Sequence, residues 1–257
     1  MRLHRTAAAV CAAELPVRID YTIRRENNSM GRFDSYRQEV LEASLWLSEH
    51  GYFGSVRGTG GNVSVRIQDD SLMAVTPSSV KYRELSTDDI CIVDLNGVVV
   101  DAHRAPSVET GMHAVIYRSR PDVGAVVHTH QIFGSVFALI NQPIPALFDE
   151  VSFTLGPAVE VVPYGLSGSV DLVNNVAGKL SNSANAYIIQ NHGIIALGKN
   201  LDKAILAAEL IEKVAHIYCL ALATGKPITM LPENVQEMAR GMRTYEAAQA
   251  REKDTKK

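Results

Sequence analysis

Apolar residues recur along the chain at two periods, and the switches between those periods mark out its elements. From Asp34 onward, Val40, Leu41, Leu45 and Leu47 fall at helical spacing, with Asp34 as a candidate N-cap and Gly51 as a stop. The period then changes to two. Val63, Val65 and Ile67 alternate with polar residues, a turn is expected at Asp69-Asp70, and a second strand should end at Thr76. In "DICIVDLNGVVVD" the Asn96-Gly97 dipeptide predicts a tight hairpin. Pro106-Ser107 opens a predicted helix over "SVETGMHAVIYRSR", closed at Pro121. Beyond it, "AVVHTHQ" reads as a strand, "IFGSVFALI" as a helix, "AVEVVPYG" as a strand and "SVDLVNNVAGKLS" as a helix. "AYIIQNHGIIALG" reads as two strands about the turn Asn191-His192-Gly193, and a long helix follows, stopped by Gly225.

Strands and helices mix here without a strict β-α-β repeat. The pattern therefore predicts one layered α/β domain, with helices on both faces of a mainly antiparallel or mixed sheet. That domain is expected over residues 33–245. Residues 1–32 read as a disordered extension, with Met30 as an alternative start, and residues 246–257 as a charged, frayed tail. The alanine-rich patch after Arg5 is short, weakly hydrophobic and interrupted by Glu14, which argues against an export signal.

Composition narrows the function classes. The 257 residues are 46% hydrophobic with a net charge of −3, and no stretch concentrates Lys and Arg, so neither a nucleic acid nor a membrane is indicated as partner. Cys11, Cys91 and Cys219 form no CxxC pair, which suits a reducing cytoplasm.

The chemistry-bearing residues sit at the ends of the predicted strands. Side chains alternate along a strand, so His128 and His130 point the same way, about 6–7 Å apart. Two hydrogen-bonded core histidines would explain that pair as well as a metal does. His192 shifts the balance, because it lies in a turn between two apolar strands where an unpartnered imidazole is costly to bury. Three imidazoles at strand ends suit a divalent metal with an open position for substrate, zinc first and Mn, Fe or Co also compatible. Glu109, read in the first turn of its helix, is either an acid favoured by the helix dipole or a general acid–base group near the metal. His113 and His216 read as helix-face residues, and His4, His50 and His103 as surface. The loop "GTGGNVS" lacks the P-loop lysine and precedes a strand rather than a helix, so it matches no phosphate fingerprint. Still, Thr59, Asn62, Ser64, Ser78, Ser79 and Ser107 could wrap an anion with hydroxyls and backbone N–H groups.

Taken in order, "GTGGNVSVR", "TPSSVKYREL", "PSVETGMHAVIYRSRPDVGAVVHTH" and "NHGII" resemble the class II aldolase/adducin family over about Phe33 to Tyr245. The resemblance implies a three-layer α/β/α fold and a homotetramer with active sites between neighbouring subunits. It implies a metal held by His128, His130 and His192, an acid–base role for Glu109, and phosphate contacts at Thr59, Asn62, Ser78, Ser79 and Ser107. The implied lead reaction on this small-molecule substrate is aldol cleavage of a ketose 1-phosphate, with Glu109 tuned to a raised pKa. Three positions depart from the sugar-phosphate aldolase pattern. Val108 stands where a second serine is expected, Ser79 replaces a glycine, and Asp149 stands in place of the tyrosine that protonates the leaving aldehyde. Tyr245, in "MRTYEA", resembles a closing-segment residue that reaches a neighbour's site. Relatives on the same fold decarboxylate hydroxy-aromatic or oxo acids, and adducin-like domains keep the fold without catalysis and without the histidines.

Overall fold

In the computed structural model, which describes residues 31–55, 57–67 and 71–254, the strands make one eight-stranded sheet. They are Asn62–Ile67 (β1), Leu72–Val75 (β2), Cys91–Asp94 (β3), Val99–Asp101 (β4), Ala125–Thr129 (β5), Glu160–Val162 (β6), Ala186–Ile189 (β7) and Gly193–Gly198 (β8). Their order is β4-β3-β2-β1-β5-β8-β7-β6. Every neighbouring pair is antiparallel except β6 with β7, so the expected mixed sheet is present. The turn expected at Asp69-Asp70 and residues 1–30 of the extension expected over 1–32 lie outside the described residues.

Two apolar clusters show why the sheet is sandwiched. On one face Val63, Val65, Val127, Ile194 and Ala196 pack against Asp34–Glu49 (α1), Ile132–Ile140 (α3), Asp149–Leu155 (α4) and Leu201–Ala223 (α6). On the other, Val75, Val93, Val126, Ile195 and Leu197 pack against Thr110–Ser119 (α2) and Val170–Ala177 (α5). Alternate residues of one strand thus serve different cores, as the two-residue period requires. The result is a three-layer α/β/α fold.

Four boundaries differ from expectation. Phe33, not Asp34, occupies the N-cap of α1 and makes no side-chain cap bond. α2 begins at Thr110 rather than at Ser107, because Pro106 is held in an isolated β-bridge with Pro77 and the chain turns through Val108 and Glu109 before the helix starts. α4 was not foreseen, since its seven residues are too few to show a helical period. Residues 246–254 of the segment expected as a charged tail belong to Glu233–Asp254 (α7), a helix that buries Ala239 and Ala247. It is fastened to α4 by Arg243, whose Nη1 donates to the Thr154 carbonyl at 3.3 Å.

The antiparallel order brings the start of β1, the end of β2, the end of β5 and the start of β8 to one edge of the sheet. Asn62 lies opposite His128, and His128 opposite Ile195. Among the described residues no helix is long and apolar enough to cross a membrane.

Candidate functional site

His128, His130 and His192 converge at that sheet edge. His128 is fully buried, and its Nδ1–H donates to the Ile194 carbonyl at 2.8 Å, which leaves the Nε2 lone pair facing inward. Nε2 of His130 stands 3.0 Å from it and Nε2 of His192 stands 3.3 Å from it. One ligand atom from each imidazole falls within a span of 4.8 Å. The local backbone explains the convergence. His130 N–H donates to the Tyr52 carbonyl at 2.8 Å. Gln131 donates to the Ala208 carbonyl at 2.9 Å, and Glu212 of α6 accepts from the N–H groups of Phe133 and Gly134, anchoring the start of α3. Asn191, with φ of 56°, carries the left-handed turn before His192. Gly193 serves another purpose: a Cβ there would run into the Thr129 carbonyl and the His130 ring.

Three imine nitrogens this close do not satisfy one another, since a lone pair needs a proton or a cation opposite it. Burial, then the neighbouring imidazoles, hold His130 down to about 3 and His192 down to about 4, against an upward pull from Glu109. Both shifts favour the neutral, ligating form. The cluster therefore fits a divalent cation by its donor set.

Glu109 faces the cluster. It occupies the N-cap position of α2, not the first turn, and makes no cap bond, so the helix dipole does not account for its orientation. Oε2 lies 3.3 Å from His128 Nε2 and Oε1 lies 3.2 Å from His192 Nε2. Asn62 Nδ2 donates to Oε2 at 2.7 Å, whereas Oε1 is buried without a hydrogen bond. Burial pushes this carboxyl up, but His128, His192, Asn62 and His113 together outweigh it and hold Glu109 down to about 2. In the metal-free cluster the direction is therefore downward, with the Asn62 amide donating to the carboxylate at 2.7 Å.

The anion-loop candidates divide. Ser78, Ser79 and Ser107 gather at the Pro77–Pro106 bridge: Ser78 N–H donates to Ala105 O at 2.8 Å, Ser107 N–H to Thr76 O at 3.0 Å, and the Ser78 and Ser79 hydroxyls lie 3.2 Å apart. Ser107 Oγ accepts from Glu109 N–H at 3.3 Å. Thr59 is exposed on the loop before β1. Asn62 donates its amide to Glu109 at 2.7 Å and turns its carbonyl to His113 Nε2 at 2.5 Å. Asp149 is exposed in the first turn of α4, where the helix dipole favours an acid. Tyr245 is exposed on α7, its hydroxyl accepting from Gln249 at 2.6 Å. His113, read from sequence as a helix-face residue, is fully buried directly behind Asn62. The signal that could have found it is the run of polar residues Asn62, Ser64 and Arg66 alternating with valines, with a histidine four residues after Glu109.

Comparison with known proteins decides the family. Residues 38–219 match the model of the "Class II Aldolase and Adducin N-terminal domain". The chain belongs to the class II aldolase and adducin family. It is 36% identical over 221 residues to an L-fuculose phosphate aldolase of Escherichia coli O6:H1, covering 86% of this chain and 97% of that one. It is also 36% identical over 184 residues to a 5-deoxy-D-ribulose 1-phosphate aldolase of Bacillus thuringiensis serovar kurstaki, covering 72% and 85%. A solved L-fuculose 1-phosphate aldolase superposes with a TM-score of 0.75 at 34% identity, covering 81% of this chain and 96% of that one. Class II aldolases are lyases that depend on a divalent metal, and the histidine cluster is the one group found among the described residues able to hold such an ion. The span matched to the class II aldolase family contains the cluster, Glu109, Asn62, His113 and the serine loops, and ends before Tyr245.

Proposed function

We propose that the protein is a metal-dependent carbon–carbon lyase that reversibly cleaves a ketose 1-phosphate, of the L-fuculose 1-phosphate kind, to dihydroxyacetone phosphate and an aldehyde. The observation that carries this reading is the buried, unbonded Oε1 of Glu109 beside three convergent imidazole nitrogens. His128, His130 and His192 would hold one divalent ion per subunit, zinc by its donor preference. Such an ion, when bound, supplies Lewis-acid stabilisation for charge that develops on the substrate oxygens.

This chain's own residues do the rest. Glu109 removes a proton from the substrate in one direction and returns it in the other, from a buried position. Asn62 fixes the carboxylate by the 2.7 Å bond to Oε2. Ser78, Ser79, Ser107 and Thr59 offer hydroxyls and loop N–H groups to the substrate phosphate. Tyr245 would supply the proton for the leaving aldehyde from a neighbouring subunit of a homotetramer. The exposed apolar residues Val108, Ile132, Leu166 and Val170 support burial of this surface in an assembly. A cytoplasmic site of action accords with the reduced cysteines Cys91 and Cys219.

One observation favours a second reading. Asp149 stands exposed where the aldolase pattern has its tyrosine, and decarboxylation of a hydroxy-aromatic or oxo acid needs no leaving aldehyde to protonate. The experiment presents L-fuculose 1-phosphate and 5-deoxyribulose 1-phosphate to the zinc-loaded protein and follows dihydroxyacetone phosphate with a coupled reductase. Its release supports the aldolase reading. Inert sugar phosphates together with CO₂ release from a hydroxy-aromatic or oxo acid would replace it by the second.

A further inference from the structure

Behind Glu109, the side of β1 that faces α2 carries a continuous hydrogen-bonded chain of which only the first link, Asn62 to Glu109, is used above. Asn62 Nδ2 lies 2.7 Å from Glu109 Oε2, and Asn62 Oδ1 lies 2.5 Å from His113 Nε2. His113 Nδ1 lies 2.7 Å from Ser64 Oγ, which lies 2.7 Å from the Tyr117 hydroxyl. Asn62, Ser64, His113 and Tyr117 are all buried, none more than 3% exposed.

The direction of each bond follows from what each atom can do. An ionised carboxylate only accepts, so Asn62 presents its NH₂ group to Glu109 and its carbonyl oxygen to His113. A carbonyl oxygen also only accepts, so the His113 proton sits on Nε2. Burial, with the adjacent His128, keeps this ring neutral, and a neutral ring protonated on Nε2 has its lone pair on Nδ1. Ser64 therefore donates to Nδ1, and its oxygen accepts from Tyr117. Reversing any one bond leaves two donors or two acceptors face to face among fully or almost fully buried groups.

We infer that His113, acting through Asn62, is the positioning residue that holds Oε2 of Glu109 as a fixed acceptor and so assigns proton transfer to Oε1. The inference rests on Glu109 being the base proposed above. A proton on Oε2 would meet the Asn62 N–H head-on. On Oε1 it displaces no hydrogen bond. In the forward step the substrate's proton bonds to Oε1 and the former bonding pair stays on the substrate. Glu109 becomes neutral, and Oε2 keeps its bond to Asn62.

Two readouts test this. The first is the ¹⁵N spectrum of histidine-labelled wild-type protein, with the His113 signals identified by their loss in His113→Gln. A neutral ring protonated on Nε2 is expected near neutral pH. A ring protonated on Nδ1, or a cation, overturns the inference. The second compares His113→Leu with His113→Gln, whose amide N–H can replace the donor to Asn62. His113→Leu should lower kcat at least about 10-fold with KM and metal content little changed, and His113→Gln should restore most of the loss. Equal loss in both variants, or no loss in the leucine variant, overturns it. If the leucine variant does not fold, Ser64→Ala takes its place and should cost kcat several-fold, while an unchanged kcat overturns the inference. The spectrum needs no substrate, so a wrong tautomer sinks this inference alone. Absence of activity toward every sugar phosphate would count against the functional reading instead.

Discussion

Strand β1 turns Val63, Val65 and Ile67 toward α1 and α6, and Asn62 and Ser64 toward α2, and both sets are withdrawn from water. An alternating strand ordinarily puts its polar side in solvent. Here both sides are interior, and they are stabilised by different physics. The valine side gains roughly in proportion to the apolar area it buries, and a neighbour of similar volume can serve as well. The asparagine side gains only if each donor meets an acceptor, because an unpaired polar atom in that position costs more than the bond contributes. β5 repeats the contrast, with Val127 on the apolar side and His128 on the polar one. On β1 the apolar packing therefore lies on one side and the chemistry on the other, while on β5 Val126 shares His128's side with the second core.

Mutations on the two sides should then separate. The largest effect is expected from His128→Ala, which removes the ring anchored to Ile194 and should abolish both metal content, read by elemental analysis, and turnover. Retained metal with full turnover would break the assignment. Glu109→Gln comes next. It should keep the metal and lose at least about 10²-fold in rate, the range for a positioned acid–base group, and a near-normal rate would move the base to another residue. Val127→Ala, one residue from His128 but on the opposite face, should cost about 2 kcal/mol in urea unfolding at fixed metal concentration, with kcat little altered. The smallest effect is expected from Ser79→Ala, which removes an exposed hydroxyl. A two- to tenfold rise in KM for a phosphorylated substrate, of the order of one hydrogen bond, should come with no measurable change in stability.

The legible part of the molecule was the part governed by local pattern. The alternation in "AVVHTHQ" put His128 and His130 on one face, and the apolar strands around Asn191-His192-Gly193 exposed a histidine that needed a partner. The long helix α6 and its stop at Gly225 were equally plain, since 23 residues hold a helical period clearly. What was not legible depends on contacts distant in sequence. Glu109 leaves the helix because Pro106 bridges to Pro77, some thirty residues earlier. Asn62 looks like a loop residue that could bind an anion until β1 pairs with β5 and sets it opposite His128. α7 has a largely polar sequence, and its place comes from Arg243 and two buried alanines against the rest of the fold. Gly193 looked like turn chemistry and is instead a matter of space, with the strained φ carried by Asn191.

The most direct measurement is hydrogen–deuterium exchange at carbon in dihydroxyacetone phosphate, incubated in D₂O with the fully metal-loaded protein and followed by proton NMR. An aldolase must deprotonate that ketone in the synthetic direction, whatever the aldehyde. Exchange catalysed by the wild type and lost in Glu109→Gln is the predicted result. No exchange from protein whose metal site is shown to be full would contradict the account.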